Sequence, residues 1–142
     1  MSNLSCFLAG NALKQDTIKK VVSKRFIGED GKPVEWEIGC VSSEEDEMIR
    51  RACTKTIQVT GKKGQFRQET DSNMYLSKLT SKCVKYPDLT DVELQNSYGV
   101  MGEEKLLKTM LLPGEYADLI QVVQEANGYS ETMEELVDEA KN

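Results

Sequence analysis

Apolar and polar residues alternate along the first half of the chain and recur at helical spacing along the second. Val34, Trp36, Ile38 and Cys40 are separated by Glu35, Glu37 and Gly39. A period of two gives a strand one apolar and one polar face. Ile18 to Ile27 is a second β-branched run, carrying Val21, Val22, Phe26 and Ile27. Between the two lies Gly28-Glu29-Asp30-Gly31-Lys32-Pro33. Asp-Gly favours a turn with positive φ, and a proline without an N–H suits the first position of a strand. The pattern predicts a β-hairpin. Thr56-Ile57-Gln58-Val59-Thr60 alternates again, and Gly61-Lys62-Lys63-Gly64 turns the chain toward Gln65-Phe66-Arg67. This predicts a second, shorter hairpin.

Helical periods surround and follow the second hairpin. Ser42 with Glu45, or Ser43 with Asp46, has capping-box spacing. The helix it opens places Met48, Ile49, Ala52 and Cys53 on its buried face, with acids in the first turn and Arg50, Arg51 and Lys55 at the end. Asp71 caps a helix carrying Tyr75, Leu76, Leu79 and Cys83, which ends before Pro87. Thr90 and Glu93 form another capping box for a short helix that Gly99 stops. A helix from Glu103 to Leu112 turns Leu106, Leu107, Met110 and Leu111 inward until Pro113-Gly114 breaks it. The next, Glu115 to Asn127, carries Leu119, Ile120, Val122 and Val123 and stops at Gly128. Ser130 caps a last helix with Met133, Leu136, Val137 and Ala140. Residues 1–14, with Leu4, Phe7, Leu8, Ala12 and Leu13, read as a loosely docked arm or a short helix.

These elements predict an α+β fold, with a small antiparallel β-hairpin region in the N-terminal half and a helical C-terminal half. The expected organisation is a single compact protein over 1–142, or two lobes at 15–70 and 71–142 with a soft joint over Gly61 to Thr70. At 142 residues the chain is long enough for one real core. Aromatics are only 6% of it, so that core is largely aliphatic.

Charge separates the two halves. Residues 1–86 carry 15 Lys/Arg against 11 Asp/Glu, a net +4, while residues 87–142 carry 3 against 13, a net −10. The acidic half argues against nucleic acid as a partner, because phosphate neutralisation needs clustered Lys and Arg. It also keeps copies apart through self-repulsion.

Candidate chemistry is thin. The chain has no histidine, and Cys6, Cys40, Cys53 and Cys83 are singletons without zinc-knuckle or CxxC spacing. They fit apolar faces as small reduced hydrophobes. Glu44/Glu45, Glu103/Glu104 and Glu134/Glu135 are adjacent on helices, so their side chains point about 100° apart and do not converge on a substrate. Gly61-Lys62-Lys63-Gly64 lacks the phosphate-loop spacing, and no EF-hand loop is present. No catalytic, metal or cofactor-binding residue is expected. The opening residues lack a basic start and a long apolar run, and no stretch approaches the roughly 20 apolar residues of a membrane span. A cytoplasmic, non-membrane protein is expected.

What remains is an apolar excess around the corner Leu111-Leu112-Pro113-Gly114-Glu115-Tyr116. Val100, Met101, Leu106, Leu107, Met110, Leu111 and Leu112 are denser than one buried helix face requires. They either fill the core of a helical subdomain or form a groove for a partner helix, for which flexible methionines are suited. The candidate partner-binding residues are Met101, Leu106, Leu107, Met110, Leu112 and Tyr116.

Several strings resemble one family. They are Val22-Ser23-Lys24-Arg25-Phe26, Gly31-Lys32-Pro33-Val34-Glu35-Trp36-Glu37-Ile38, Ser43-Glu44-Glu45-Asp46-Glu47 and Tyr86-Pro87-Asp88-Leu89. Glu93-Leu94-Gln95-Asn96-Ser97-Tyr98-Gly99-Val100-Met101-Gly102 and Leu111-Leu112-Pro113-Gly114-Glu115-Tyr116 complete the set. Together they resemble the XkdN-like tail assembly chaperones of contractile-tailed phages and defective prophages, from the first residues to about Gly128-Tyr129. The resemblance implies a non-enzymatic helper in the bacterial host cytoplasm, absent from the finished virion. Its implied partners are the tape-measure protein, kept soluble, and the tail-tube protein, guided onto it; self-association stays open. It implies no catalytic or ligand residue. The alternative reading is an acidic mimic or inhibitor whose carboxylates occupy a basic cleft of a host protein.

Overall fold

The computed structural model describes residues 3–129. The final helix expected from Ser130 lies outside them. In chain order, the elements begin with a 3₁₀ turn at Asn3–Phe7, then β1 (Ile18–Lys20), β2 (Trp36–Ile38), α1 (Ser43–Ala52), β3 (Thr54–Gln58) and β4 (Phe66–Thr70). The second half holds α2 (Ser72–Cys83), β5 (Val84–Tyr86), α3 (Val92–Ser97), α4 (Glu103–Met110) and α5 (Pro113–Ala126). The fold is α+β: two small antiparallel sheets and a helical second half.

The first sheet has strand order β1-β2-β5 and the second is the hairpin β3-β4. Alternation places β2 correctly: Trp36 and Ile38 are buried while Glu37 between them is half-buried. The long run before it is strand only at Ile18–Lys20, paired so that Ile18 faces Ile38 and Lys20 faces Trp36. Beyond that the chain leaves the ladder and rejoins at a single Ile27–Pro33 bridge. Gly31, at φ 76°, makes the expected turn, closed by the Gly28 N–H on the Lys32 carbonyl at 2.9 Å. Strand β5 has no alternation long enough to read, and it exists because β2 offers it a free edge, with Val84 opposite Ile38.

Local signals at helix starts are mostly realised. Ser42 and Glu45 form the capping box, each side chain bonded at 3.1 Å to the other's backbone N–H. Asp71 caps α2 through the Met74 N–H at 3.1 Å. For α3 the cap is Asp91, which accepts from the Leu94 N–H at 2.8 Å; Thr90 instead donates to Asp88. A carboxylate is the stronger N-cap acceptor, and moving the cap by one residue lets Asp88 hold the preceding turn.

Helix α1 departs from its predicted face. Met48 and Ala52 are exposed, and Asp46, Ile49 and Cys53 lie toward the protein. Two of the four expected residues, Ile49 and Cys53, keep their place, so the inward face rotates toward Asp46 by less than one residue step of about 100°. Polar contacts set that rotation. The Tyr75 hydroxyl donates to Asp46, the Arg50 guanidinium donates to the Tyr75 oxygen at 3.2 Å, and it sits 4.3 Å from that ring's centroid. Burial and the Asp46 carboxylate push the Tyr75 phenol up, so it stays protonated and donating. The segment Gly61 to Thr70 holds the turn and second strand of the β3–β4 hairpin.

One buried cluster joins both halves of the chain. Trp36 and Ile38 of β2 meet Leu79 and Cys83 of α2, Leu106, Leu107 and Met110 of α4, and Leu119, Val122 and Val123 of α5. Phe26 lies against Trp36 with ring centroids 6.1 Å apart. The Val41 N–H donates to the Asn127 side chain at 2.9 Å, tying the end of α5 to the loop after β2. The opening segment is exposed: Leu4, Phe7, Leu8 and Leu13 all lie on the surface.

Candidate functional site

The corner between α4 and α5 is made by two extended residues. Leu111 and Leu112 have ψ near 150°, and α5 starts at Pro113. Proline at the first helical position has no N–H to waste, and its fixed φ suits the helix. Gly114 is therefore inside α5 rather than a breaker, with a negative φ and nothing within 4 Å of where a Cβ would stand. Replacing Gly114 by alanine is expected to stabilise the protein by about 0.5–1 kcal/mol, read as a higher urea midpoint.

The apolar excess of the corner divides between inside and outside. Leu106, Leu107 and Met110 are 0%, 1% and 4% exposed, and they serve the core. They are covered because α4 packs against both α2 and α5, which needs a wider apolar arc than a helix lying on one neighbour. Met101 and Leu112 are 88% and 56% exposed, and Tyr116 is half-buried. Met101 and Leu112 bracket α4 at its two ends, the eight residues of the helix itself spanning about 12 Å at helical rise. The outer side of α4 between them is polar, with Lys105, Lys108 and Thr109 exposed.

Arg25 fastens this corner to the N-terminal half. Its guanidinium donates to the Met110 carbonyl at 2.6 Å and to Glu115 Oε1 at 2.7 Å, and lies 5.2 Å from the Phe26 ring centroid. The same Glu115 oxygen accepts from the Leu112 N–H at 2.8 Å. One carboxylate thus holds the first turn of α5 and the Arg25 clamp together. No sequence signal marks Arg25, because its partners lie 85 and 90 residues away.

The clamp depresses the Glu115 carboxyl. Hydrogen bonds from Arg25, from the Ser23 hydroxyl and from the Leu112 N–H hold it at about 2, against an ordinary 4.5. A carboxyl lowered on folding adds stability that is fully present above 4.5 and is lost as the pH falls through about 2. Glu115→Gln is therefore expected to flatten the fall in stability across that acid window. Urea unfolding followed between the two pH values checks it.

Chemistry-bearing groups are dispersed. Among the described residues no three Cys, Asp or Glu side chains lie close enough to hold a metal ion. Cys53 and Cys83 are buried, and burial pushes the Cys83 thiol up, away from the reactive thiolate. Of the eight carboxylates between residues 87 and 129, four hold the protein's own groups. Asp88 binds Thr90, Asp91 caps α3, Glu104 pairs with Lys78 at 3.1 Å and Glu115 pairs with Arg25. A mimic of nucleic acid needs carboxylates free in a continuous array, and half of these are engaged at home. No helix among the described residues is long and apolar enough to cross a membrane.

Fold and corner define a small α+β protein in which a two-helix corner is locked onto a three-stranded sheet, with apolar side chains left outside at its ends. The chain belongs to the family described as phage XkdN-like tail assembly chaperone protein, which matches residues 4–141. It is similar to phage-like element PBSX protein XkdN of Bacillus subtilis strain 168, 27% identical over 141 residues, which are 99% of this chain and 94% of that protein. Protein YqbN of the same strain is 26% identical over 141 residues, 99% of this chain and 93% of YqbN. The crystal structure of YqbN superposes with a TM-score of 0.76 over 92% of this chain and 99% of the other, at 21% identity. At that identity the likeness is one of fold.

Proposed function

We propose that the protein is a non-enzymatic chaperone of the host cytoplasm that binds the phage tape-measure protein and assists assembly of the tail tube on it. Its membership of the tail assembly chaperone family, matched over residues 4–141, carries this reading. The exposed apolar side chains supply a means. A long amphipathic helix presents an apolar stripe, and Met101 and Leu112, with Tyr116 one turn beyond Leu112, are offered as a discontinuous surface for such a stripe to bridge. An unbranched methionine adapts to varied partners. Burial of apolar area makes this binding less salt-sensitive than an ion-pair contact.

The test is capture of the co-expressed tape-measure protein by tagged full-length chain. Met101→Asp combined with Leu112→Asp is expected to weaken capture about tenfold or more, with the circular dichroism of the wild type retained. Undiminished capture by the folded double variant would remove these residues from the surface. A wild type that captures no tape-measure protein would remove the partner itself.

A further inference from the structure

Asparagine is followed by glycine once in the chain, at Asn127-Gly128, where α5 ends. Gly128 has φ 93°, a conformation that other residues rarely adopt. Nothing lies within 4 Å of where its Cβ would stand, so backbone conformation and not crowding calls for glycine there. The Gly128 N–H donates to the Glu125 carbonyl at 3.1 Å and the Tyr129 N–H to the Gln124 carbonyl at 3.0 Å, the paired bonds of a glycine helix stop. This ending has a chemical consequence. A glycine has no side chain to keep its own nitrogen from the amide of the residue before it. The residue that ends α5 is therefore the one that opens Asn127 to attack.

The amide at risk is also a junction. Asn127 is half-buried, and its side chain joins three parts of the fold. Oδ1 accepts from the Val41 N–H at 2.9 Å, in the loop after β2. Nδ2 donates to the Val123 carbonyl of α5 at 2.7 Å and to the Cys83 sulfur at the end of α2 at 3.4 Å. The same ending restrains the attacking atom. Its N–H is held by Glu125, and a ψ of 11° at Asn127 turns that nitrogen away from the side chain. Amide and nucleophile meet only when the last turn of α5 opens, the kind of local opening that helix ends undergo most readily.

We propose that Asn127 is a self-modifying site, silent while the end of α5 is docked and converted to aspartate or isoaspartate once that end has opened. The Gly128 nitrogen bonds to Cγ, the Cγ–Nδ2 bond breaks, and ammonia leaves carrying the Gly128 proton. Water then opens the cyclic imide at either of its two carbonyls. The aspartate still accepts from Val41 but no longer donates to Val123 or Cys83. It sets negative charge against the Val123 carbonyl, at the end of a helix where the dipole disfavours it. The isoaspartate also lengthens the main chain by one carbon. Neither product restores the junction, so an opening that is caught in this way is not reversed. The inference does not rest on tape-measure binding.

The wild-type full-length chain, incubated in mildly alkaline buffer either folded or in concentrated guanidinium chloride, tests it by peptide mapping and mass spectrometry. Conversion at Asn127 is read from the mass gained when NH₂ becomes OH, which separates it from any isomerisation at Asp30-Gly31. The expected result is conversion at least about tenfold slower in the folded chain than in the unfolded one. In guanidinium chloride, where the strain at φ 93° has no bearing, Gly128→Ala is expected to slow it at least about tenfold. Asn127→Asp is expected to lower the folding equilibrium constant at least about tenfold, read by urea unfolding. Equal rates in the folded and unfolded chains overturn the proposal. So does an unfolded chain that does not convert at Asn127, or an Asn127→Asp chain as stable as the wild type. The rates are read on the wild type alone and decide the matter even if Asn127→Asp does not fold.

Discussion

Leu107→Asp is expected to abolish the folded state, whereas Leu112→Asp leaves it intact. Leu107 is 1% exposed and sits in the cluster shared by α2, α4 and α5. Removing its side chain costs about 2–5 kcal/mol through lost burial and an unfilled cavity. Placing a carboxylate there adds a desolvation penalty of several kcal/mol more. The sum rivals the roughly 5–15 kcal/mol that holds a whole domain together. A flattened thermal transition in circular dichroism, with earlier elution on gel filtration, checks it. Leu112 is 56% exposed and its backbone N–H, which Glu115 holds, is unchanged by substitution. A cooperative transition close to that of the wild type is expected there. A folded Leu107→Asp would show that the corner is looser than its burial indicates.

The second large effect is expected at Trp36→Ala. Trp36 is 1% exposed, and replacing a buried tryptophan by alanine costs about 3–5 kcal/mol. For a domain of this size that lowers the melting temperature by roughly 10–15 °C. The loss extends beyond the core. Trp36 backs Phe26, Phe26 lies beneath Arg25, and Arg25 holds the Met110 carbonyl and Glu115. Arg25→Ala in the Trp36→Ala background is therefore expected to cost less than in the wild type, a non-additivity that a double-mutant cycle measures. Equal costs in both backgrounds would mean that Phe26 transmits nothing from the sheet to the corner.

Sequence and structure agree where the determining contacts are near in the chain. The Ser42–Glu45 box, the Asp71 cap and the Asp30-Gly31 turn each depend on residues within four positions, and each is present. Disagreement begins where a distant neighbour decides. The face of α1 is set by Tyr75, 25 to 29 residues on, and so leaves Met48 and Ala52 of its apolar stripe outside. Strand β5 is three residues that follow β2's free edge. At the corner, periodicity identified Leu106, Leu107 and Met110 as one apolar face. It could not show that α2 and α5 would both cover α4, which is what commits those residues to the core and leaves Met101 and Leu112 outside. Arg25 belongs to the same class of long-range contact, a basic residue in an irregular segment with its partners at the other end of the chain.

The root of the β3–β4 hairpin has a consequence for how the protein tolerates change. The Asp71 N–H donates to the Cys53 carbonyl at 2.8 Å, so the last turn of α1 and the cap of α2 already touch where the hairpin begins and ends. Everything from Thr54 to Thr70 is thus an excursion from a junction closed without it. Closing a longer or shorter excursion costs little, since the entropy varies only with the logarithm of its length. The segment is a natural place for insertion, exchange or trimming, where a new specificity can be grafted while the helices beneath keep their register.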